Sequence, residues 1–347
     1  MLGGGVFVTQ NKILPGSYIN FVNASNASAT LGERGVVAIA LPIGKAAGTV
    51  IEITRPEFAT DSVNVLGKEY NSDEVIALRE IFCNANKVYI YDLGTEGGKT
   101  VTDVVNALEP YDFNVVCAYT SEADEVAQYI TTVKSWRDDM GKKCQVVVYN
   151  QEKPNHEGVI NVVSTVSDDG ADAHALTAWV AGAEAGCEIN ESCTNKLYDG
   201  EYTIVCNKTQ SQLEDCIENG QIAFHLVYGD VRMLEDITSL TETTADKGED
   251  FKSNQTIRVI DQIANDIAKM FNTRYLGKIP NDASGRVSLW GDIVKHHREL
   301  EALRAIENYD ATLLTVEQGK TKKSVVVNDV ITVVNAMAQL YMTVVVQ

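Results

Sequence analysis

Between residue 73 and about residue 239, short runs rich in valine and isoleucine alternate with segments of helical character, and few architectures accommodate that order. A helix over 73–85 leads to the strand KVYIYDL, and a helix near Thr100 to Leu108 precedes FNVVCAY. A helix from Glu122 to Asp139 stops before Gly141 and gives way to CQVVVYN. The pattern continues through GVINVVSTV, a helix over ADAHALTAWVAGAEAG, the stretch YTIVCN and a helix over TQSQLEDCIENG. It closes on QIAFHLVYG and VRMLEDITSL, which read as antiparallel strands. Strands that are apolar on both faces and separated by helical crossovers predict a mostly parallel sheet covered on both sides.

The two ends have a different character. From Ala336 to Gln347, Ala338, Leu340, Met342, Val344 and Val346 fall on one face, with Gln339, Tyr341, Thr343 and Gln347 on the other and Val345 as the exception. Such alternation marks a half-buried strand, and an apolar strand needs an edge to pair with, in its own subunit or in another. The first 25 residues mirror this, with Gly3–Gly5, the apolar scrap Val6, Phe7 and Val8, and a strand over Ser17 to Val22 containing Tyr18, Ile19 and Phe21. Three successive glycines hold no rigid local structure. GVVAIALPIGK and GTVIEITRPEF read as strands of a small β module, with Pro42 and Pro56 putting them at sheet edges or strand ends.

After an acidic junction at Thr241 to Glu249 comes the most amphipathic helix, Asn254 to Phe271. Ile257, Ile260, Ile263, Ile267, Met270 and Phe271 share one arc, while Arg258, Asp261, Gln262, Asn265, Asp266 and Lys269 share the other. A helix over about Val287 to Ala302 follows, and then the strands ATLLTVEQ and SVVVNDVITVV. The expected organisation is therefore α/β and α+β, in several domains. An arm occupies 1–25, a small β domain 26–72, a central α/β domain 73–240, an α+β domain 241–336 and a terminal strand arm 337–347.

The formal charge of −19 argues against a direct nucleic-acid partner, which needs a basic footprint. Apolar runs of about 18 residues are absent, so no membrane insertion is expected. The start MLGGGVFVTQNK lacks the basic leader and apolar core of a secretory signal. Seven cysteines without a C-x-x-C read as reduced core residues of a protein made in the cytoplasm.

Chemistry is sparse. Gly94 to Thr100, GTEGGKT, sits between a strand and a helix as a phosphate-binding P-loop does, but the first glycine of that motif would have to be residue 93, which is Leu93. A P-loop-like nucleotide-binding enzyme using these residues is one alternative; an ordinary glycine-rich turn is the other. His296 and His297 are adjacent on a helix, point about 100° apart and cannot share a metal as i, i+4 pairs do. His225, within AFHLVY, reads as a core histidine. No catalytic, metal or cofactor constellation emerges.

The segment from Asn254 to Val294 and the run NDVITVVNAMAQLYMTVVV resemble the C-terminal region of contractile tail sheath proteins of phages and phage-tail-like bacteriocins, and PGSYINFVN with RGVVAIALPIG resembles their opening. The resemblance implies a non-enzymatic structural subunit that stacks as six-membered rings into a helical sheath around an inner tube. Contraction of that sheath drives the tube through a target envelope without a nucleotide. Further partners implied are baseplate and tail-terminator proteins. The site of action implied is the host bacterial cytoplasm during assembly, then a virion tail or released particle. The arms would be about Val6–Val22 and Met337–Val346, joining sheets of neighbouring subunits, and Arg258, Asp261, Asp266 and Lys269 would face the tube. The N-terminal helix that recruits a disassembly ATPase in type VI secretion sheaths is not seen, which implies a single-use device. Another self-assembling shell protein would read similarly.

Overall fold

A computed structural model describes residues 31–346. Its centre is β1 (Val36–Leu41), a strand buried along its whole length. The elements that follow are β2 (Val50–Thr54), α1 (Arg55–Leu66), α2 (Ile76–Phe82), β3 (Lys87–Asp92), α3 (Val101–Leu108), β4 (Val115–Cys117) and α4 (Ala123–Asp138). Then come β5 (Gln145–Tyr149), β6 (Val159–Val162), α5 (Leu176–Gly186), α6 (Gln210–Glu218) and β7 (Gln221–Ile222). These strands form one sheet in the order β2-β3-β1-β4-β5-β6-β7, in which only the edge strand β2 is antiparallel to its neighbour.

The doubly covered sheet expected from the Val/Ile runs is present. Along β1, Val37, Ile39 and Leu41 enter a core with Leu78 and Ile81 of α2 and Leu176 and Trp179 of α5. Val36, Ala38 and Ala40 enter the opposite core with Val104 and Leu108 of α3 and Val126, Tyr129 and Trp136 of α4. The period of two in a strand puts successive side chains into different layers, so β1 is apolar throughout. Local capping fixes the helix starts: Thr100 with Asp103 and Thr209 with Gln212 make reciprocal capping boxes.

The separate β module expected for 26–72 is not formed. β1 lies in the middle of the central sheet and β2 at its edge, and the residues after Thr54 are helical. Pro56 sits in the first turn of α1, where its missing N–H costs nothing, and Thr54 with Glu57 supplies a capping box. YTIVCN forms no strand beyond an isolated bridge of Ile204 to Val166. His225 lies on the antiparallel hairpin β8 (Phe224–Val227) and β9 (Asp230–Met233), half-buried rather than in the core.

The C-terminal part is built on α7 (Asn254–Met270) and α8 (Ala283–Ala302), whose start is capped by Asp282 accepting from the Gly285 amide at 2.7 Å. Short ladders follow: β10 (Ile306–Glu307), the hairpin β11 (Thr315–Gln318) and β12 (Val325–Asn328), and β13 (Thr332–Val333), which pairs with β10. Met270, Leu289, Ile293 and Leu314 make one apolar cluster here, and Val259, Leu300, Ile306 and Tyr309 a second. The expected N-terminal arm residues Val6, Phe7, Val8, Tyr18, Ile19 and Phe21 lie outside the described residues.

Close packing sets one hard limit. A Cβ on Gly182 of α5 would stand 2.3 Å from the Ile81 carbonyl oxygen, so the two helices touch through backbone. Gly182→Ala should therefore destabilise the fold by about 1–3 kcal/mol, the usual cost of overpacking a core. A urea midpoint unchanged from wild type would show that α5 has room to move.

Candidate functional site

The glycine-rich turn after β3 is organised around a carboxylate of its own chain. Asp92, fully buried, accepts the amides of Gly44 and Gly94 at 2.8 Å each and that of Ala46 at 2.6 Å. Burial favours the protonated acid, but these amides outweigh it and hold the carboxyl below its usual range. Donors that converge on Asp92 are not free for a phosphate, and a second anion beside it would be repelled. Thr100 is spent on capping α3, and the Lys99 ammonium lies over Gly48. The Gly94 amide, the Thr100 hydroxyl and the buried Asp92 carboxylate are thus arranged for the turn itself, which counts against the nucleotide-binding alternative for Gly94–Thr100.

Helix α7 holds the main departure from expectation. Three of its four expected tube-facing residues point inward: Arg258 is 3% exposed, Asp261 7% and Asp266 8%. Arg258 Nη2 donates to Glu184 Oε2 of α5 at 2.7 Å and to Asp236 Oδ2 at 3.1 Å, and Nη1 donates to the Glu191 carbonyl at 2.9 Å. Asp261 takes a bidentate pair from Arg137 of α4 at 2.5 and 2.8 Å. Asp266 accepts the Gly32 amide at 2.9 Å and faces His296 Nε2 at 2.9 Å. Only Lys269 is exposed. The polar arc of α7 is the surface by which the helix joins the sheet domain, so it is not presented to a partner. Its apolar arc packs on α8 and the short ladders.

The charges in that joint are unequal. Burial, reinforced by Asp236, pushes the Glu184 carboxyl well above its ordinary range. Asp236, equally buried, is held below its ordinary range by Arg258, a shared hydrogen bond with Glu184 and the Cys193 amide. Burial beside Arg258 brings Arg34 down to about 10.

Among the described residues, two groups of side chains have metal-ligand spacing. Glu184, Cys193 and Asp236 converge within 4.8 Å, but the Arg258 guanidinium already supplies the positive charge there. Asp138, His156 and Glu157 also converge; the Gly158 amide occupies His156 Nδ1 and the Lys247 ammonium reaches Glu157 at 2.7 Å. In each group part of the donor set is thus committed to the protein, while His156 Nε2, Glu157 Oε2, Glu184 Oε1 and Asp236 Oδ1 have no hydrogen-bond partner among the described residues. His296 Nε2 faces Asp266 at 2.9 Å and His297 Nε2 faces Asp329 at 2.8 Å, while the Nδ1 atoms of the two rings approach to 3.4 Å, closer than adjacent positions on a helix suggest.

The chain leaves its body at the C-terminus. β13 pairs with β10, and the Val334 amide bonds the Ala305 carbonyl at 3.0 Å. Beyond Ala336, Leu340 is 86% exposed, Met342 76%, Val344 70% and Val346 90%, and so is the other face, with Tyr341 at 88%. No strand partner for 337–346 occurs among the described residues. Among the described residues the hairpin β11–β12 also keeps its outer edges unpaired, with Val326 and Val327 exposed.

Residues 94–239 match the central domain of phage tail sheath proteins, and residues 246–347 match the phage tail sheath C-terminal domain. The chain is 33% identical over 174 residues to the phage-like element PBSX protein XkdK of Bacillus subtilis, covering 48% of this chain and 37% of that protein. It is 27% identical over 228 residues to the tail sheath protein of Clostridium phage phiCD119, covering 65% and 63% respectively, so less than two thirds of either relative is spanned. Among solved structures, a sheath tail protein from Desulfitobacterium hafniense shares the fold with a TM-score of 0.75 at 24% identity, over 92% of this chain and 100% of that one. A chain of the anti-feeding prophage helical sheath in its contracted state gives a TM-score of 0.70 at 14% identity, over 97% and 99%.

Arg258→Met should cost about 3–5 kcal/mol, since it strands two buried carboxylates. Adding Glu184→Gln and Asp236→Asn to that variant should recover part of the loss. Urea unfolding of the single and triple variants checks both, and a single variant as stable as wild type would mean that the joint is held by packing alone.

Proposed function

The chain belongs to the phage tail sheath family, and from that premise we propose that it polymerises as stacked six-membered rings around an inner tube and contracts to drive that tube through a cell envelope. What supports this most is the segment 337–346: apolar, outside the body and without a strand partner among the described residues. An extended segment of this kind gains main-chain hydrogen bonds by adding to a neighbour's sheet edge. Burying each of its larger side chains there contributes about 1.5–3 kcal/mol. The hairpin β11–β12, with open edges, offers such an edge on every subunit. Donor and acceptor are different surfaces, so the contact is heterologous and propagates as a helix unless it closes into a ring.

In this reading the subunit is structural, with no catalytic step of its own. The body rides as a unit while the connection between neighbours survives reorientation, because a short strand pairing at the end of a tether does not fix the angle between the bodies. The inner tube, the baseplate and a tail terminator are the remaining partners. Subunits assemble in the host bacterial cytoplasm and act in the finished particle.

Deleting residues 337–347 should give subunits with wild-type melting that form no long polymers in negative-stain micrographs. Long tubes from the deletion would sink the exchange of arms. Lys99→Ala should polymerise as wild type does, and loss of polymer together with loss of nucleotide binding would return the glycine-rich turn to consideration.

A further inference from the structure

The last contacts before the tail leaves the body are made by one side chain. Gln255, in the first turn of α7 and 2% exposed, accepts the Ala336 amide through Oε1 at 2.8 Å and donates through Nε2 to the Val334 carbonyl at 3.2 Å. Beside it, Thr256 Oγ1 bonds Asn335 Oδ1 at 3.2 Å. The backbone ladder ends just upstream, at β10–β13 and the Val334 amide on Ala305. Gln255 thus takes the next two main-chain groups in turn, as a residue of a neighbouring strand would. The orientation of its amide is fixed by these partners, because an N–H needs an acceptor and a carbonyl needs a donor. After Ala336 no main-chain hydrogen bond joins 337–346 to the described body.

We propose that Gln255 is a positioning residue that sets the register in which the C-terminal arm enters a neighbouring subunit's sheet; this rests on the reading of 337–346 as an exchanged arm. A strand slipped by one residue turns every side chain to the opposite face, so a pairing partner must arrive at a defined position along the edge. That position is counted from the last fixed point of the tether. With the clamp, the swivel lies between Ala336 and Met337. Without it, the last main-chain fixed point retreats to Val334 and only the Thr256–Asn335 side-chain bond holds the chain beyond it, so up to two residues, or about 7 Å of extended chain, join the arm's reach. Two residues of slack admit several registers where one was enforced. The role requires both halves of an amide: a carboxylate at 255 accepts from Ala336 but repels the Val334 carbonyl, and a thioether does neither.

Gln255→Met and Gln255→Glu in the full chain test this with two readouts. In dilute protein below the polymerisation threshold, hydrogen exchange at the Ala336 amide should rise roughly tenfold in Q255M, the loss of about one hydrogen bond. In Q255E it should fall between the two. In polymers, a benzoylphenylalanine photo-cross-linker at position 342 should join one dominant site on the neighbouring copy in wild type. In Q255M the products should spread to sites one and two residues away. An Ala336 exchange rate unchanged in Q255M would overturn the clamp, and a single cross-link site retained despite faster exchange would overturn its control of register. Wild-type polymers with no cross-link from the tail to a neighbour would sink the arm exchange itself, while exchange at Ala336 would still decide the clamp. Q255E gives the same decision if Q255M does not fold.

Discussion

The guanidinium of Arg258, seated between Glu184 and Asp236, joins a sheet domain to a helical one through charges that neither half could bury alone. An isolated buried charge is expensive, and its cost is offset only when partners arrive together with good geometry. Arg137 on Asp261 repeats the arrangement about one turn of helix further along, and Asp266 adds a third point about two turns from Arg258 through Gly32 and His296. Three polar fixings along one helix leave it no freedom to slide or rotate. α7 therefore behaves as the spine of the subunit: one side belongs to the sheet, the other to α8 and the short ladders.

That arrangement explains what was legible beforehand and what was not. The strand–helix alternation, the parallel sheet and the starts of α3 and α6 follow from local patterns, since capping boxes and Val/Ile runs act over a few residues. Strand order does not, and β1 was assigned to a module of its own because nothing in VVAIAL says that β3 and β4 will flank it. Pro56 marks a strand at a sheet edge or a strand end, and β2 is the edge strand and stops at Thr54; that the proline then opens α1 is not written in the strand pattern.

The amphipathicity of α7 was read correctly as two faces and wrongly as one inside and one outside. A polar arc turns inward when partners exist, and those partners lie 74 residues away for Glu184 and 124 for Arg137. No periodicity in a window of twenty residues can register them. The useful hint was compositional: that arc carries Arg258, Asp261, Gln262, Asn265 and Asp266, short or amide side chains suited to fixed hydrogen bonds, and only one lysine. For the tail, alternation over ten residues suggests a strand, yet 337–346 forms none within the described residues, because a strand exists only once an edge pairs with it.

The exposed tail and the acidic body set two forces of different range against each other. A net charge of −19 makes subunits repel at distances up to the screening length, about 10 Å at 0.1 M salt, whereas the apolar tail attracts only on contact. Encounter is then an activated event whose barrier is electrostatic and whose well is not. In the proposed assembly such a subunit would be kinetically shy in dilute buffer and adhesive once counter-ions thin the repulsive shell, so ionic strength would govern how soon growth begins more than how firmly a finished lattice holds.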